Sequence, residues 1–217
     1  MAPPTFPPPI AIARPPAEAV ASGIRLSLMQ GSELSPLDVA RVLNAGGVRW
    51  VLIGAHAINI YTGRPRATQD VDVVTDAPAK ARAVIERAFP AFVAEDHNVV
   101  LRFKLNGAEA LDVVKASSDR LFGRVVRLSR EVTVDGVALH VPVVEAALAM
   151  KFSSMLSAGR SPRDRYQDAH DFIAVAEMAN EADQALMSEL GDLVYPGGGR
   201  ELIQMYADAR AGRPLEI

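Results

Sequence analysis

Two aspartates interrupt a run of valines in QDVDVVT, residues 69–75. The alternation of a β-strand places Asp70 and Asp72 on one face, and Val71 and Val73 on the other. Two carboxylates about 7 Å apart on one face repel each other, and burial increases the cost. A divalent cation relieves both penalties, because Mg²⁺ prefers carboxylate oxygens and completes its shell with water and substrate phosphates. The pair therefore indicates a metal site, with a solvated strand face as the alternative.

A third carboxylate lies in a second strand-like run, EALDVVKA. Leu111 and Val113 would point inward together, which leaves Asp112 on the opposite face of that strand. If the two strands are neighbours, Asp112 converges with Asp70 and Asp72. Three convergent carboxylates can hold two metal ions, one that orients a triphosphate and one that activates an attacking oxygen.

Turn and cap signals predict the elements around these two strands. Ser35 followed by Pro36 starts a helix, and the dipeptides at residues 106–107 and 135–136 are Asn-Gly and Asp-Gly hairpin turns. From residue 143 onward the apolar spacing becomes helical. We predict an α/β (α+β) fold, with a mixed-sheet core over residues 33–142 and a helical C-terminal region over residues 143–217.

The N-terminal segment is rich in proline, with seven of the 15 prolines in the first 16 residues. Such a stretch forms neither a helix nor an inner strand. We predict an extended or disordered tail over residues 1–22, with a peptide-ligand role as the alternative.

Composition excludes several classes of function. The net charge of −3 does not indicate an extended nucleic-acid surface, although it allows a local basic patch. The chain has no cysteine, which excludes disulfides and thiolate chemistry and favours a cytoplasmic location. No apolar run reaches the ~18 residues of a membrane-spanning helix. We therefore expect neither membrane nor DNA partners.

Residues 51–75, VLIGAHAINIYTGRPRATQDVDVVT, resemble the signature of the nucleotidyltransferase superfamily, which has the polymerase-beta-like fold. That signature is a strand, a pair of small residues, a short helix and a strand with D-x-D. The spacing of Arg66, Thr68, Asp70 and Asp72 is most similar to the AbiEii/MenT-type toxins of bacterial toxin–antitoxin and phage-defence systems. Antibiotic nucleotidyltransferases are similar too. The resemblance covers roughly residues 37–172.

The resemblance implies a role for each carboxylate. In the superfamily the D-x-D aspartates bind Mg²⁺ (or Mn²⁺), and an aspartate on a later strand acts as the general base. By position these are Asp70, Asp72 and Asp112, all three of which we expect to bind metal. Gly54 and Ala55 would approach the nucleotide phosphates. The superfamily usually has Gly-Gly or Gly-Ser at that point, so Ala55 is a departure.

Other residues are implied to bind the nucleotide. Arg66 and Thr68 precede the D-x-D pair, where the arginine holds phosphates or is an ordinary loop charge. Lys151 lies in the middle of an apolar helical stripe, and a lysine of the related toxins at that place contacts the triphosphate. The alternative is a structural ion pair of Lys151 with Asp168 or Asp171.

The resemblance as a whole implies a metal-dependent nucleotidyltransferase that moves a nucleoside monophosphate from an NTP to an acceptor hydroxyl. The acceptor would be a tRNA end or a protein, and a toxin of this kind would have a cognate antitoxin. Two alternatives remain open. One is a catalytically degenerate fold that serves as a binding or partner module, and the other is a small-molecule, antibiotic-type nucleotidyltransferase.

Overall fold

The computed structural model describes residues 34–62, 68, 70–179 and 181–215. The predicted tail over residues 1–22 and the predicted site residue Arg66 lie outside this described part of the chain. The described residues form eight α-helices, a five-stranded sheet and a two-stranded sheet. The predicted mixture of helices and strands is confirmed.

The first half of the described chain contains four of the helices and all five strands of the large sheet. A short 3₁₀ turn, Ala116–Ser118, follows the last strand of the large sheet. The elements in chain order are α1 (Pro36–Ala45), β1 (Trp50–Leu52), α2 (Gly54–Thr62), β2 (Val71–Thr75), α3 (Pro78–Ala88), β3 (Val93–Asp96), β4 (Val100–Leu105), β5 (Ala108–Lys115) and α4 (Arg120–Val125).

The second half begins with a hairpin and continues as helices. Helix α5 starts one residue after the predicted change of pattern at residue 143. The elements are β6 (Ser129–Val134), β7 (Val137–Pro142), α5 (Val144–Leu156), α6 (Pro162–Met178), α7 (Gln184–Val194) and α8 (Gly198–Arg210). None of the helices in the described residues has the length and apolar character that crossing a bilayer requires.

The large sheet has the strand order β1-β2-β5-β4-β3. Strands β2 and β5 are parallel, whereas the other neighbouring pairs are antiparallel. The sheet is therefore mixed, as predicted. Its centre is the parallel pair β2 and β5, so that strands which are distant in sequence lie side by side.

The predicted caps and turns are present and explain the element boundaries. The Ser35 hydroxyl accepts a hydrogen bond from the Leu37 N–H at 3.1 Å, which starts α1. Residues 106–107 have φ values of 52° and 83°, and residues 135–136 have φ values of 49° and 76°. Two successive positive φ angles are the geometry of a type I′ turn, which Asn-Gly and Asp-Gly favour.

Each face of the large sheet contacts a different set of elements. Val71 and Val73 belong to an apolar cluster with α1, α3 and the β6–β7 hairpin. Val74 faces the other way and packs in a second cluster that includes helices α5 to α8. This second cluster also contains residues of β1 and α2, so the C-terminal helices share a core with the sheet region. The division of the chain into two domains between residues 142 and 143 stays a prediction.

The sequence patterns did not predict β3 and α4. Strand β3 is the outermost strand of the sheet, and none of its four residues is buried. It therefore lacks the apolar alternation that identifies a half-buried strand. Helix α4 has six residues, which is too short for a helical period to be recognised.

Candidate active site

Asp72 and Asp112 lie beside each other at the centre of the large sheet. Strands β2 and β5 are parallel neighbours, and Asp72 is in register with Asp112. The two strands are therefore neighbours, which is the condition under which the predicted aspartates can converge. The valines on either side of Asp72 belong to the apolar cluster on the opposite sheet face, as alternation predicts.

The surroundings of Asp72 disfavour its ionised form. The side chain is half-buried, and desolvation together with the charges of Asp70 and Asp112 raises the pKa of Asp72 to about 7. The positive charges of Lys151 and Arg160 act in the opposite direction and are outweighed. Crowded carboxylates with a raised pKa are common at functional sites.

Gly54 packs directly against the Asp72 carboxylate. Gly54 has φ +63°, and a β-carbon placed on it would lie 1.9 Å from Asp72 Oδ2. The Ile53 N–H also donates to the Asp72 carbonyl at 2.9 Å. Glycine at position 54 is thus required both by the backbone angle and by the space that the carboxylate occupies.

Helix α2 begins beside these carboxylates. Gly54 and Ala55 form its first turn, where unpaired N–H groups favour bound anions. Ala55 is 3% exposed, so its methyl group packs inside the protein. Only the backbone of Ala55 is therefore suited to approach a ligand.

Thr68 orients Asp70. The Thr68 hydroxyl lies 2.6 Å from Asp70 Oδ1 and donates to it. This contact holds Thr68 beside Asp70, and binding of the nucleotide by Thr68 stays a prediction.

A residue that the sequence reasoning missed, Arg102, is bound to Asp112. Arg102 Nε donates to Asp112 Oδ1 at 2.9 Å, and Arg102 Nη2 donates to Oδ2 at 2.7 Å. The two residues are register partners on β4 and β5. The Asn106-Gly107 turn does predict that an arginine-bearing strand pairs with the strand of Asp112. It does not predict that Arg102 lies opposite Asp112, because this pairing depends on an irregularity in the register of the two strands.

That irregularity is a register shift between Phe103 and Lys104. Near the turn, Lys104 pairs with Glu109, and continuing that register would place Arg102 opposite Leu111. Because the register shifts by one residue, Arg102 instead faces Asp112. A β-bulge commonly redirects side chains in this way near functional sites.

Lys151 is held between two carboxylates of α6. Its Nζ donates to Asp168 Oδ1 at 2.8 Å and to Asp171 Oδ2 at 2.6 Å. Asp168 also lies 3.1 Å from Arg160 Nε. Gln167 Nε2 donates to Asp171 Oδ1 at 3.0 Å. The structure therefore contains the ion pairs of Lys151 with Asp168 and Asp171 that the sequence offered as the alternative. Contact of Lys151 with a triphosphate stays a proposal.

The donor set suits a divalent cation on two carboxylates. Within the described ranges, no group of three or more His, Asp or Glu side chains is arranged to hold one ion together. Asp70 and Asp72 remain a suitable pair, because their mutual repulsion contributes to the raised pKa of Asp72. Mg²⁺ is commonly bound by one or two carboxylates together with substrate phosphates.

The sequence matches one family model. The model described as nucleotidyl transferase AbiEii toxin, Type IV TA system, matches residues 38–210. No curated protein matches the chain.

Solved structures resemble the fold at low identity. An antigenic nucleotidyltransferase-like protein from Paracoccidioides brasiliensis is 18% identical with a TM-score of 0.51, over 88% of this chain and 93% of that chain. The antibiotic-resistance factor ANT(2'')-Ia is 12% identical with a TM-score of 0.49, over 81% and 92%. JHP933 from Helicobacter pylori is 14% identical with a TM-score of 0.46, over 81% and 90%. The first of these likenesses shows that the fold is nucleotidyltransferase-like.

Proposed function

Because the chain belongs to the AbiEii family of nucleotidyl transferase toxins, we propose that it moves a nucleoside monophosphate from an NTP to an acceptor hydroxyl in a metal-dependent reaction. The observation that carries the proposal is the register of Asp72 with Asp112 on adjacent parallel strands, with Asp70 close enough to raise the pKa of Asp72.

Asp70 and Asp72 would hold a Mg²⁺ ion (or Mn²⁺) together with phosphate oxygens of the NTP. The ion would neutralise charge on the triphosphate as the leaving group departs. Thr68 would keep the Asp70 carboxylate in position through its hydrogen bond. The remaining catalytic contributions would be orientation and proton transfer by side chains of this chain.

Asp112 would accept the proton of the acceptor hydroxyl. The acceptor oxygen then forms a bond to the α-phosphorus, and the bond from that phosphorus to the oxygen bridging the α- and β-phosphates breaks. Pyrophosphate leaves with the electron pair of that bond. Both Asp112 oxygens are hydrogen-bonded to Arg102, but each carboxylate oxygen has a second lone pair for the incoming proton.

Three further features would bind the triphosphate. The first turn of α2, at Gly54 and Ala55, presents N–H groups where anions bind favourably. Asp168 and Asp171 hold the Lys151 ammonium group, which would also attract a phosphate oxygen of the NTP. Arg66 precedes the D-x-D pair in sequence and would add a further positive charge.

For the acceptor, we favour an RNA such as a tRNA end over a protein hydroxyl. An open groove of about 380 Å³ follows the carboxyl end of β5, and its lining includes three arginines, Arg120, Arg124 and Arg127, beside the acidic residues Asp119 and Glu189. Arg124 is paired with Glu189 at 2.6 Å, whereas Arg120 and Arg127 are exposed. Clustered arginines attract the phosphate backbone of nucleic acids. A cognate antitoxin would be a further partner, because the matching family model describes a toxin of a TA system.

The test is incubation of the full chain with each of the four NTPs, labelled at the α-phosphate, and with total RNA or total protein from cells. We expect Mg²⁺-dependent labelling of RNA that is absent with Asp72→Asn. Labelling of protein alone would identify the other acceptor class. Nucleotide binding without any labelling would favour the non-catalytic binding module instead.

A further inference from the structure

We infer that the site takes a single divalent cation, on Asp70 and Asp72, and that the Arg102 guanidinium supplies to Asp112 the positive charge that a second cation would otherwise provide. This inference rests on the proposed nucleotidyl transfer. Arg102 is then a positioning residue for Asp112, which accepts the proton, and Asp112 is not a metal ligand.

The first observation is that Arg102 already occupies both oxygens of Asp112, at 2.9 and 2.7 Å. The side chains are 29% and 12% exposed, respectively. Paired hydrogen bonds between a guanidinium and a carboxylate are among the strongest polar contacts in proteins. A second cation at Asp112 would have to displace this contact, or bind beside a fixed positive charge that repels it.

The second observation is the arrangement of charge across the sheet. Asp72, Asp112, Arg102 and Glu95 are successive register partners on β2, β5, β4 and β3. Glu95 is bound by Lys104 at 2.8 Å, so it does not require the charge of Arg102.

Glu109 is the other acidic partner of Arg102 and contacts Nη1. Its side chain is 46% exposed, so water can solvate it when Arg102 is absent. Asp112 is only 8% exposed as a residue. Asp112 is therefore the carboxylate that depends most on Arg102, since a buried carboxylate that loses its partner is left uncompensated.

The third observation concerns the number of ligands. Among the residues that the structure describes, no three acidic or histidine side chains are grouped to hold an ion. Among the described residues, no lysine or arginine forms an ion pair with Asp70 or Asp72, whereas Arg102 pairs with both oxygens of Asp112. The position that gains most from a cation is thus the D-x-D pair.

The test counts bound Mn²⁺ per full-length chain, by electron paramagnetic resonance of free Mn²⁺, with an equimolar non-hydrolysable NTP analogue. We expect one ion in the parent and two in Arg102→Met, where the Asp112 carboxylate is freed. Arg102→Lys restores a positive charge and should return the count to one. Lys104→Met is the matched control, because Lys104 lies on the same face of β4 and pairs with Glu95 instead of Asp112.

A second measurement keeps the inference testable if Arg102→Met does not fold. Asp112→Asn should leave the Mn²⁺ dissociation constant within about twofold of the parent value, whereas Asp72→Asn should raise it by about tenfold or more, as loss of a metal contact does. Two ions in the parent, or equal loss of Mn²⁺ affinity in the two variants, would overturn the inference alone. If the parent protein binds neither Mn²⁺ nor the NTP analogue, the result would contradict the proposed function as well.

Discussion

Gly54 lies against the carboxylate of Asp72 so closely that a β-carbon on Gly54 would be 1.9 Å from Oδ2. The first turn of α2 and the D-x-D strand are thereby held in contact at the point where we propose that a triphosphate meets its cation. This contact also means that Gly54 and Asp72 cannot be changed independently of each other.

We predict that Gly54→Ala destabilises the protein and removes NTP binding, because the new methyl group displaces Asp72. Positive φ alone costs about 1 kcal/mol when alanine replaces glycine. The matched control is Gly136→Ala, which has φ +76° and nothing within 4 Å of the added carbon. Urea unfolding should show a loss for Gly54→Ala that exceeds the control by about 1–3 kcal/mol. Equal losses of stability in Gly54→Ala and Gly136→Ala would mean that the contact with Asp72 does not contribute to the cost of the substitution.

We predict that Asp72→Asn stabilises the protein when metal is removed by a chelator. The substitution relieves the repulsion and desolvation that raise the pKa of Asp72 to about 7. With partial exposure taken into account, the gain at pH 8 should be about 1–3 kcal/mol in the free energy of unfolding. A clear loss of stability would show instead that the Asp72 carboxylate makes structural hydrogen bonds.

The same pKa predicts a pH dependence. Between the ordinary value of about 4 and the raised value of about 7, the folded parent keeps a proton on Asp72 that the unfolded chain has released. Its free energy of unfolding must therefore fall as pH rises through that window. Asp72→Asn should lack this part of the slope. Chelator-treated parent and variant, unfolded by urea at pH 4 to 8, provide the measurement.

We predict that Lys151→Met is strongly destabilised. Its Nζ bonds Asp168 and Asp171, whose side chains are 4% and 3% exposed. Loss of the cation leaves two buried carboxylates close together, at a cost of about 3–5 kcal/mol. The double variant Lys151→Met with Asp171→Asn should recover part of the loss. Unchanged stability of the single variant would assign Lys151 to the nucleotide alone.

We predict that Arg120→Glu combined with Arg127→Glu weakens RNA binding without loss of NTP binding. The two exposed arginines line the groove beyond β5. If each contacts a phosphate, the dependence of log affinity on log salt should fall by about 0.7 per contact for single-stranded RNA. Arg163→Glu with Arg200→Glu is the control, since both arginines are exposed on other helices. Equal effects of the two pairs would show a dependence on net charge only.

Local sequence signals were sufficient for most of the fold. The cap at Ser35 and the two type I′ turns at residues 106–107 and 135–136 depend on residues next to each other in the chain. The alternation around Asp72 and Asp112 also predicted correctly which side chains share a face. Each of these features is decided by steric and hydrogen-bonding preferences within a few residues.

The contacts of the site depend on long-range register, which local signals do not contain. Arg102 faces Asp112 only because the pairing of β4 with β5 shifts by one residue between Phe103 and Lys104. Strand β3, which carries Glu95, is an unburied edge strand without an apolar pattern. An uninterrupted register would have placed Arg102 opposite Leu111, so the residue that neutralises Asp112 could not be identified from the sequence.

The most direct test of nucleotidyl transfer compares two labelled forms of the same NTP in the presence of Mg²⁺ and cell RNA. One form is labelled at the α-phosphate and the other at the γ-phosphate, and the acceptor fraction is counted after each reaction. We predict that the parent chain incorporates the α-label, releases the γ-label in pyrophosphate, and loses both activities in Asp72→Asn. Incorporation of the γ-label, or equal incorporation of the α-label by parent and Asp72→Asn, would contradict the account.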